Sequence, residues 1–364
     1  MKEPEDKKNH ESERDERKKT KALSRRRLLK VLAAGGGAVA GTTLLPPKWV
    51  KPIVEFGALP LHAAVSPGGG PYAYIPNGSS NNVSVINTAT NVVVATVAVG
   101  ACPWGVAFNP AGTRVYVANY CSNNVSVIDK TTDTVVATVA VGNSPFGIAV
   151  NPAGTFVYVA NNGSDNVSVI NTATNTVVAT VAVGDGPRGV VVNPAGTFVY
   201  VVNYSSFNVS VIDTATNTVV ATVNVGNWPI GIDINSAGTL VYVANYISMS
   251  VSVISTATNT VVATVAVANN AFGVAVNPAG TYVYVSMNDG SSIIRVINTA
   301  TNTVVATIFV GSDPEGIAVN PAGTFVYVVN RLSNNVSVIN TATNTVVATI
   351  AVGTNPIALG KFIG

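Results

Sequence analysis

The sequence is poor in charged residues, in leucine and in histidine. Only 10% of its 364 residues are charged, against about 25% in ordinary soluble domains. Because 48% are hydrophobic, this low charge does not indicate a disordered chain. From residue 71 onwards there are only three leucines, while Val, Thr, Ala and Asn dominate. Helical cores need straight-chain helix formers, whereas Val, Thr and Tyr suit pleated sheets, so the sequence predicts an all-β body.

Histidine is absent from the predicted body, since both histidines, His10 and His62, precede it. This absence excludes a Ser-His-Asp triad, a histidine-ligated haem and the usual zinc or copper ligand sets within residues 71–364. We therefore predict no metal and no cofactor. The acidic residues of the body are mostly single aspartates at turn positions, where their hydrogen bonds to the turn backbone explain them. The sequence predicts no catalytic residue, and a binding protein is more expected than an enzyme.

Charge is divided unevenly along the chain. Residues 1–70 hold 14 Lys and Arg and 8 Asp and Glu, a net charge of +6, whereas residues 71–364 hold 6 and 9, a net charge of −3. Nucleic-acid binding requires a basic surface that neutralises phosphates, and the body does not supply one. We expect no nucleic-acid partner.

The N-terminal segment has the composition of an export signal. Residues 1–30 are polar and basic and end in SRRRLLK, and residues 31–45 form the apolar stretch VLAAGGGAVAGTTLL. This arrangement resembles a twin-arginine signal, with Arg25 and Arg26 as the arginine pair. A membrane span needs roughly 20 strongly apolar residues, so this shorter, glycine-rich stretch favours a cleaved signal over an anchor.

The resemblance to export signals also implies a division of the N-terminal region. Residues 1–63 would form the signal region, with cleavage near residues 63–64, and residues 64–70 would link it to the body. The protein would be exported to the periplasm, the cell surface or the medium, and would meet the membrane only transiently. Retention of the segment as an anchor and a nonspecific basic arm are the alternatives.

The rest of the chain is a 42-residue repeat. A glycine that follows a Pro-x pair, or Ala271 and Phe272 in one copy, recurs at Gly105, Gly147, Gly189, Gly231, Gly273 and Gly316. A tyrosine within VYVAN-like segments recurs at Tyr74, Tyr116, Tyr158, Tyr200, Tyr242, Tyr284 and Tyr327. Each copy contains four short apolar runs, separated by NPAGT and NTATNT turn signals and a variable loop, which predicts a four-stranded antiparallel meander.

Such a meander, apolar on both faces, needs neighbouring copies to cover it. Four strands per 40–45 residues is the period of a β-propeller, so residues 71–364 are predicted to form seven blades. The first copy enters at its second strand, and residues 355–363 match the start of another copy. We therefore predict that the C-terminal strand completes the first blade and closes the ring of a monomer.

The repeated segment resembles the motif of the YVTN-repeat β-propeller family. It reads YVAN at residues 116–119, 158–161 and 242–245, without the threonine of the family, and residues 284–287 also lack the asparagine. The resemblance covers residues 71–364 and implies an exported or cell-surface propeller. It does not imply one chemistry, because propellers support binding, scaffolding and catalysis alike.

Two loops vary among the copies while the turns barely change, and in a meander both variable loops emerge on one face. Loop residues on a rigid scaffold are the first candidates for binding. The candidates at this face are Trp104, Phe146, Arg188, Phe272, Glu315, Tyr120, Tyr204, Trp228, Tyr246 and Arg331. Aromatic and arginine side chains suit partner anchors or a sugar-stacking surface, although drift of exposed loops would also explain them.

From these residues the sequence favours a non-enzymatic binding or surface-scaffold protein that contacts a protein, a glycan or a small ligand. One alternative is a periplasmic enzyme or cofactor-binding propeller, similar to lactonases or quinoproteins. It would use Arg188, Glu315, Asp185 and Asp313 at the mouth of the channel. A second alternative is a structural component of the cell envelope.

Cys102 and Cys121 are the only cysteines. Cys102 precedes the first strand of its copy and Cys121 follows the second strand, so the hairpin between them should bring the two side by side. In an oxidising compartment they are predicted to form a disulfide, which would stabilise the fold by around 3 kcal/mol. Two free buried thiols or a reactive site are the alternatives.

Overall fold

The computed structural model of the protein describes residues 71–364, and its regular elements there are all β-strands. The predicted signal region, its pair Arg25 and Arg26, and the linker lie outside the described residues. Within the described part of the chain, no helix could serve as a membrane span. Twenty-seven strands form seven antiparallel sheets, six of four strands and one of three, so the predicted seven-bladed all-β fold is confirmed.

The strands take four positions from the channel outwards. The innermost strands are β4 (Pro103–Phe108), β8 (Pro145–Val150), β12 (Pro187–Val192), β16 (Pro229–Ile234), β20 (Ala271–Val276) and β24 (Pro314–Val319). The second strands are β1 (Tyr72–Asn77), β5 (Arg114–Asn119), β9 (Phe156–Asn161), β13 (Phe198–Asn203), β17 (Leu240–Asn245), β21 (Tyr282–Met287) and β25 (Phe325–Asn330). The third strands are β2 (Asn82–Asn87), β6 (Asn124–Asp129), β10 (Asn166–Asn171), β14 (Asn208–Asp213), β18 (Ser250–Ser255), β22 (Ile293–Asn298) and β26 (Asn335–Asn340). The outermost strands are β3 (Val92–Ala98), β7 (Thr134–Ala140), β11 (Thr176–Ala182), β15 (Thr218–Asn224), β19 (Thr260–Ala266), β23 (Thr303–Phe309) and β27 (Thr345–Ala351).

Asparagine side chains build the turns between strands. At the NPAGT turn, Asn151 Oδ1 accepts hydrogen bonds from the backbone N–H groups of Thr155 and Phe156, at 2.8 and 3.0 Å. Gly154 has a φ of +71°, which a residue without a Cβ adopts without strain. At the NTATNT turn, Asn171 Oδ1 accepts from the N–H of Ala173 at 2.9 Å. These contacts explain why both turns repeat almost unchanged.

The blades pack face to face, and side chains of neighbouring blades share each hydrophobic cluster. Tyr116 of one blade and Val157 of the next belong to the same buried cluster. The innermost strands come so close that a methyl group at Gly105 would lie 2.3 Å from the carbonyl oxygen of Phe146. The glycine of the repeat is therefore required by the close approach of adjacent strands.

The asparagine of the YVAN segments has a structural role. Asn161 is fully buried, and its amide donates hydrogen bonds to Asn166 Oδ1 at 2.8 Å and to Ser168 Oγ at 2.9 Å. In the copy where Met287 replaces this asparagine, the methionine is fully buried in the hydrophobic cluster between blades. The departure from the motif therefore leaves the blade intact.

Residues 355–364 complete the first blade, as predicted, but not as a regular strand. They pair antiparallel with β1 at two points, Ile363 with Ala73 and Pro356 with Asn77. Between these points Leu359 pairs in parallel with Gly105 of the next blade. The C-terminal segment therefore joins the first blade to the second as well as closing the ring.

The predicted disulfide is confirmed. Cys102 and Cys121 are bonded, with 5.3 Å between their Cα atoms, and the described residues contain no free cysteine. The bond connects the loop before β4 to the loop after β5. The backbone N–H of Cys121 also donates to the carbonyl of Ala101 at 3.2 Å. The two variable loops of this blade are thus fixed to each other.

Candidate functional site

The two variable loops of each blade lie side by side at one end of the channel. In the third blade, for example, the N–H of Asn162 donates to the carbonyl of Ser144 at 3.0 Å. The constant turns lie together at the opposite end, where the N–H of Thr172 donates to the carbonyl of Thr155. We call the end with the variable loops the mouth.

Four buried side chains form the floor of the mouth. They are Phe146, Ile230, Phe272 and Leu359. The aromatic side chains of Trp104, Tyr120, Tyr204 and Tyr246 pack around them. Because Phe146 and Phe272 are only 2% and 7% exposed, they support the site from below and do not form its rim.

Two rows of aromatic rings stand above the floor. Trp104 and Tyr120 are stacked, with ring centroids 5.0 Å apart. Trp228 lies 5.1 Å from Tyr204 and 6.3 Å from Tyr246. Trp228 is 39% exposed, which leaves much of its indole surface open to a flat ligand.

Arg188 projects over the floor as the single cation of the innermost strands. Its guanidinium lies 3.5 Å from the ring centroid of Tyr204 and 5.0 Å from that of Phe146. Burial lowers the pKa of Arg188, although Tyr204, Tyr120 and Glu315 oppose that shift. Its Nε atom is buried and has no hydrogen-bond partner among the described residues.

Glu315 belongs to a cluster of polar groups on the other side of the mouth. Its Oε1 atom lies 2.8 Å from Arg331 Nε and accepts a hydrogen bond from Asn288 Nδ2 at 2.7 Å. Arg331 Nε also donates to Asp313 Oδ2 at 2.7 Å. Two of the predicted site residues, Glu315 and Arg331, are therefore in direct contact.

Burial dominates the electrostatics of Glu315, which is only 4% exposed. Its pKa rises to about 8, because desolvation and the charge of Asp313 outweigh the opposing effects of Arg331, Asn288 and Arg188. The second carboxylate oxygen, Oε2, is buried without a hydrogen-bond partner among the described residues. A carboxyl group with a pKa near neutral pH can take up or release a proton during a reaction.

Arg188 and Glu315 belong to innermost strands three blades apart, and they interact electrostatically across the mouth but share no hydrogen bond. Asp185 stays apart from them, exposed on its loop. The arrangement combines one buried carboxyl group with a raised pKa, a cation and aromatic walls. It can bind a small polar molecule and move a proton to or from it.

Sequence reasoning missed two residues of the mouth. Asn288 occupies the same loop position as Tyr120 and Arg331 in their copies, so a comparison of the copies could have found it. Leu359 was not recognisable, because the irregular pairing of the C-terminal segment brings it into the floor.

A cavity of about 640 Å³ occupies the channel beyond the floor, toward the constant turns. The innermost strands and the C-terminal segment line it, and Asp233 and Lys361 are the charged side chains among its lining residues. Within residues 71–364 no group of three or more His, Cys, Asp or Glu side chains is placed to hold a metal ion. Sequence reasoning did not identify this cavity.

Comparison with solved structures shows the same fold in several proteins. A chain of hydrazine synthase from Kuenenia stuttgartiensis has 26% identity and a TM-score of 0.69, over 84% of this chain and 99% of that one. A candidate 6-phosphogluconolactonase from Bacteroides fragilis has 18% identity and a TM-score of 0.69, over 80% and 98%. Another from Bacteroides uniformis has 18% identity and a TM-score of 0.68, over 80% and 99%. No curated protein matches the sequence.

A family profile described as "Lactonase, 7-bladed beta-propeller" matches residues 87–222 and 256–352, well over half of the chain. The expectation of a non-enzymatic binding or scaffold protein is therefore wrong, and the lactonase-like alternative is the better one. That expectation rested on the lack of histidine, but a buried carboxyl group whose pKa is raised to about 8 can also exchange a proton near neutral pH. The chain belongs to the lactonase family of seven-bladed β-propellers.

Proposed function

We propose that the protein is a lactonase-type hydrolase that opens the cyclic ester of a small lactone at the mouth. One observation carries this proposal: Glu315 Oε2 and Arg188 Nε belong to the same mouth, and both are buried without hydrogen-bond partners among the described residues. Unpaired buried polar groups are costly, and they are expected where a substrate supplies the missing partner.

The ionised form of Glu315 acts as the general base. It takes a proton from the water that attacks the lactone carbonyl, and a tetrahedral oxyanion forms. Arg188 donates a hydrogen bond to that oxyanion, which needs a cation or a strong donor. When the ring C–O bond breaks, the proton on Glu315 passes to the departing alkoxide oxygen. One lactone and one water become one hydroxy acid, and Glu315 returns to its ionised form.

Three neighbours position Glu315 and set its proton affinity. Arg331 and Asn288 hold Oε1, so that Oε2 remains directed to the reaction. Asp313 in turn holds Arg331. Although burial alone lowers the pKa of Arg331, the charges of Glu315 and Asp313 raise it, so this arginine stays protonated throughout. These residues act through Glu315 and are positioning residues.

The aromatic rows favour a sugar lactone as the substrate. A sugar ring offers C–H faces that stack on Trp228 or Trp104, while its hydroxyl groups need polar partners such as Arg188. The naming of the two Bacteroides neighbours as candidate 6-phosphogluconolactonases supports the same class. The partner proposed for this protein is thus a small ligand, and neither nucleic acid nor a metal is part of the proposal.

Hydrolysis of glucono-δ-lactone, followed as proton release in weak buffer, tests the proposal. We expect Glu315→Gln to lower kcat/KM by about 10²-fold or more, and Arg188→Met by a similar factor. Asp213→Asn is the matched control, since it removes a partly exposed carboxylate of a constant turn where other copies carry asparagine. A wild-type rate equal to that of buffer, or full activity in Glu315→Gln, would overturn the proposal.

We also propose that the chain is a YVTN-type propeller exported as a monomer through the twin-arginine route to the periplasm, the cell surface or the medium. The SRRRLLK segment and the formed disulfide support export, since disulfides persist in oxidising compartments. Replacing Arg25 and Arg26 with lysine should leave the full-length precursor in the cytoplasm, as fractionation and an antibody would show. Unchanged export would refute the assignment.

A further inference from the structure

The channel cavity contains a charge where the other copies carry none. Asp233 lies opposite the repeat tyrosine Tyr242 in the pairing of β16 with β17. The equivalent residues of the other innermost strands are Ala107, Ala149, Val191, Ala275 and Ala318. The same copy also replaces the proline of its NPAGT turn with Ser236, at the rim of the cavity. Asp233 and Ser236, two polar residues that depart from the repeat, therefore line the same cavity.

The wall of this cavity consists of open strand edges. The N–H of Asn151 donates to the carbonyl of Phe156 across the β8–β9 pair. Because such bonds alternate along antiparallel strands, the backbone groups of Ile148 and Val150 point away from β9 and into the channel. The other innermost strands follow the same pattern, so polar backbone groups and apolar side chains surround the cavity together.

Asp233 is fixed against this wall. Its carboxylate accepts hydrogen bonds from the N–H groups of Ile234 and of Val276 in the next blade, both at 2.9 Å. A carboxylate has about four acceptor sites, so about two remain for other donors. Asp233 is partly exposed, and the space beside it is the cavity.

Lys361 supplies the opposite charge. It is an exposed residue of the C-terminal segment, lines the same cavity and interacts electrostatically with Asp233, but the two form no salt bridge. Desolvation is the main cause of the raised pKa of Asp233, and the charge of Lys361 opposes it. A ligand with both a cationic and an anionic group could contact both side chains at once, whereas an anion alone or a cation alone could pair with only one of them.

We propose that the channel cavity is a binding site for a small zwitterion, an α-amino acid with an apolar side chain. Its ammonium group would donate to Asp233, its carboxylate would accept from Lys361, and its side chain would contact valines and isoleucines of the wall. A volume of about 640 Å³ is ample for such a ligand. The floor of the mouth separates this site from Glu315, so the two sites are distinct.

Isothermal titration of the purified chain with L-leucine tests this proposal. N-acetyl-leucine, which lacks the ammonium charge, and leucine methyl ester, which lacks the carboxylate, form the comparison arms. We expect Asp233→Ala and Lys361→Met each to weaken L-leucine binding by about tenfold or more. Both modified ligands should bind the wild type correspondingly more weakly. Asp213→Asn, which removes a carboxylate outside the channel, should bind like the wild type.

The replacements at Asp233 are designed to preserve the fold, because Ala107, Ala149, Ala275 and Ala318 show that the position accepts alanine. Asp233→Asn provides a second variant of nearly the same size. Absence of wild-type binding to L-leucine at millimolar concentration, or equal affinity in both Asp233 variants and the wild type, would overturn the proposal. Glu315→Gln should bind L-leucine normally, so failure of the lactonase proposal would leave this one standing.

Discussion

The raised pKa of Glu315 makes the stability of the fold depend on pH in a way that one substitution should remove. In the unfolded chain the carboxyl group titrates near 4.5, and in the folded chain near 8. The folded state therefore binds the proton more tightly, and the stabilisation that this group contributes is complete below pH 4.5. It decreases as the pH rises toward 8 and is lost above that value.

The size of the effect follows from the two pKa values. Each pKa unit corresponds to about 1.36 kcal/mol, so between pH 5.5 and pH 9 the wild type should lose about 3 kcal/mol of unfolding free energy through Glu315 alone. Glu315→Gln has no proton to lose and keeps a similar shape. The free energy of unfolding of this variant should therefore decrease by about 3 kcal/mol less than that of the wild type over the same interval.

Urea unfolding of both proteins at pH 5.5 and at pH 9 measures this difference directly, with the disulfide kept oxidised. Asp213→Asn serves as the control and should follow the wild type, because its side chain is partly exposed at a constant turn, at the end of the channel opposite the mouth. If Glu315→Gln and the wild type lose the same stability between the two pH values, the assignment of a raised pKa to Glu315 is refuted. The proposed general base would then lose its main support.

Three other perturbations test separate parts of the structure. Arg331→Gln removes the cation 2.8 Å from Glu315, so the midpoint of the pH–rate profile should move above 8 by about one unit or more, and an unchanged midpoint would contradict this role. The double replacement Cys102→Ser with Cys121→Ser tests the stabilising effect of the disulfide. It should lower the free energy of unfolding, measured with urea, by about 3 kcal/mol, and an unchanged value would show that the bond does not stabilise the fold. Deletion of residues 355–364 removes five backbone hydrogen bonds to the first blade together with buried side chains, so stability should fall by about 5 kcal/mol or more. Wild-type resistance to heat and protease in the deleted chain would refute closure of the ring.

The architecture was predictable because every copy of the repeat carries nearly the same strand and turn sequences. The NPAGT and NTATNT turns place asparagine where its side chain completes the turn, and Asn151 and Asn171 do so in the structure. The position of Cys102 and Cys121 relative to their hairpin was sufficient to predict the disulfide. The number of copies then predicted the number of blades. Each copy is apolar on both faces and needs a neighbouring copy on each side to cover them.

The contacts of the mouth were not predictable, because they join residues from different strands and blades. Glu315 meets Asn288 across 27 positions of sequence, and no local pattern connects the two. The irregular pairing of residues 355–364 shifts Leu359 into the floor, where the repeat pattern predicted a plain strand. The burial that raises the pKa of Glu315 is likewise a property of the assembled ring, which composition does not reveal.

A nearly exact repeat makes departures from it informative, because the same position in other copies shows what the fold alone requires. Alanine or valine suffices for the fold at the position of Asp233, and aromatic or aliphatic residues suffice in other copies at the positions of Arg188 and Glu315. Burying a charge costs free energy that packing does not demand at these places. The charged and ionisable side chains at the mouth and in the channel are therefore best explained by interactions with a ligand, and the two proposed sites rest on these departures from the repeat.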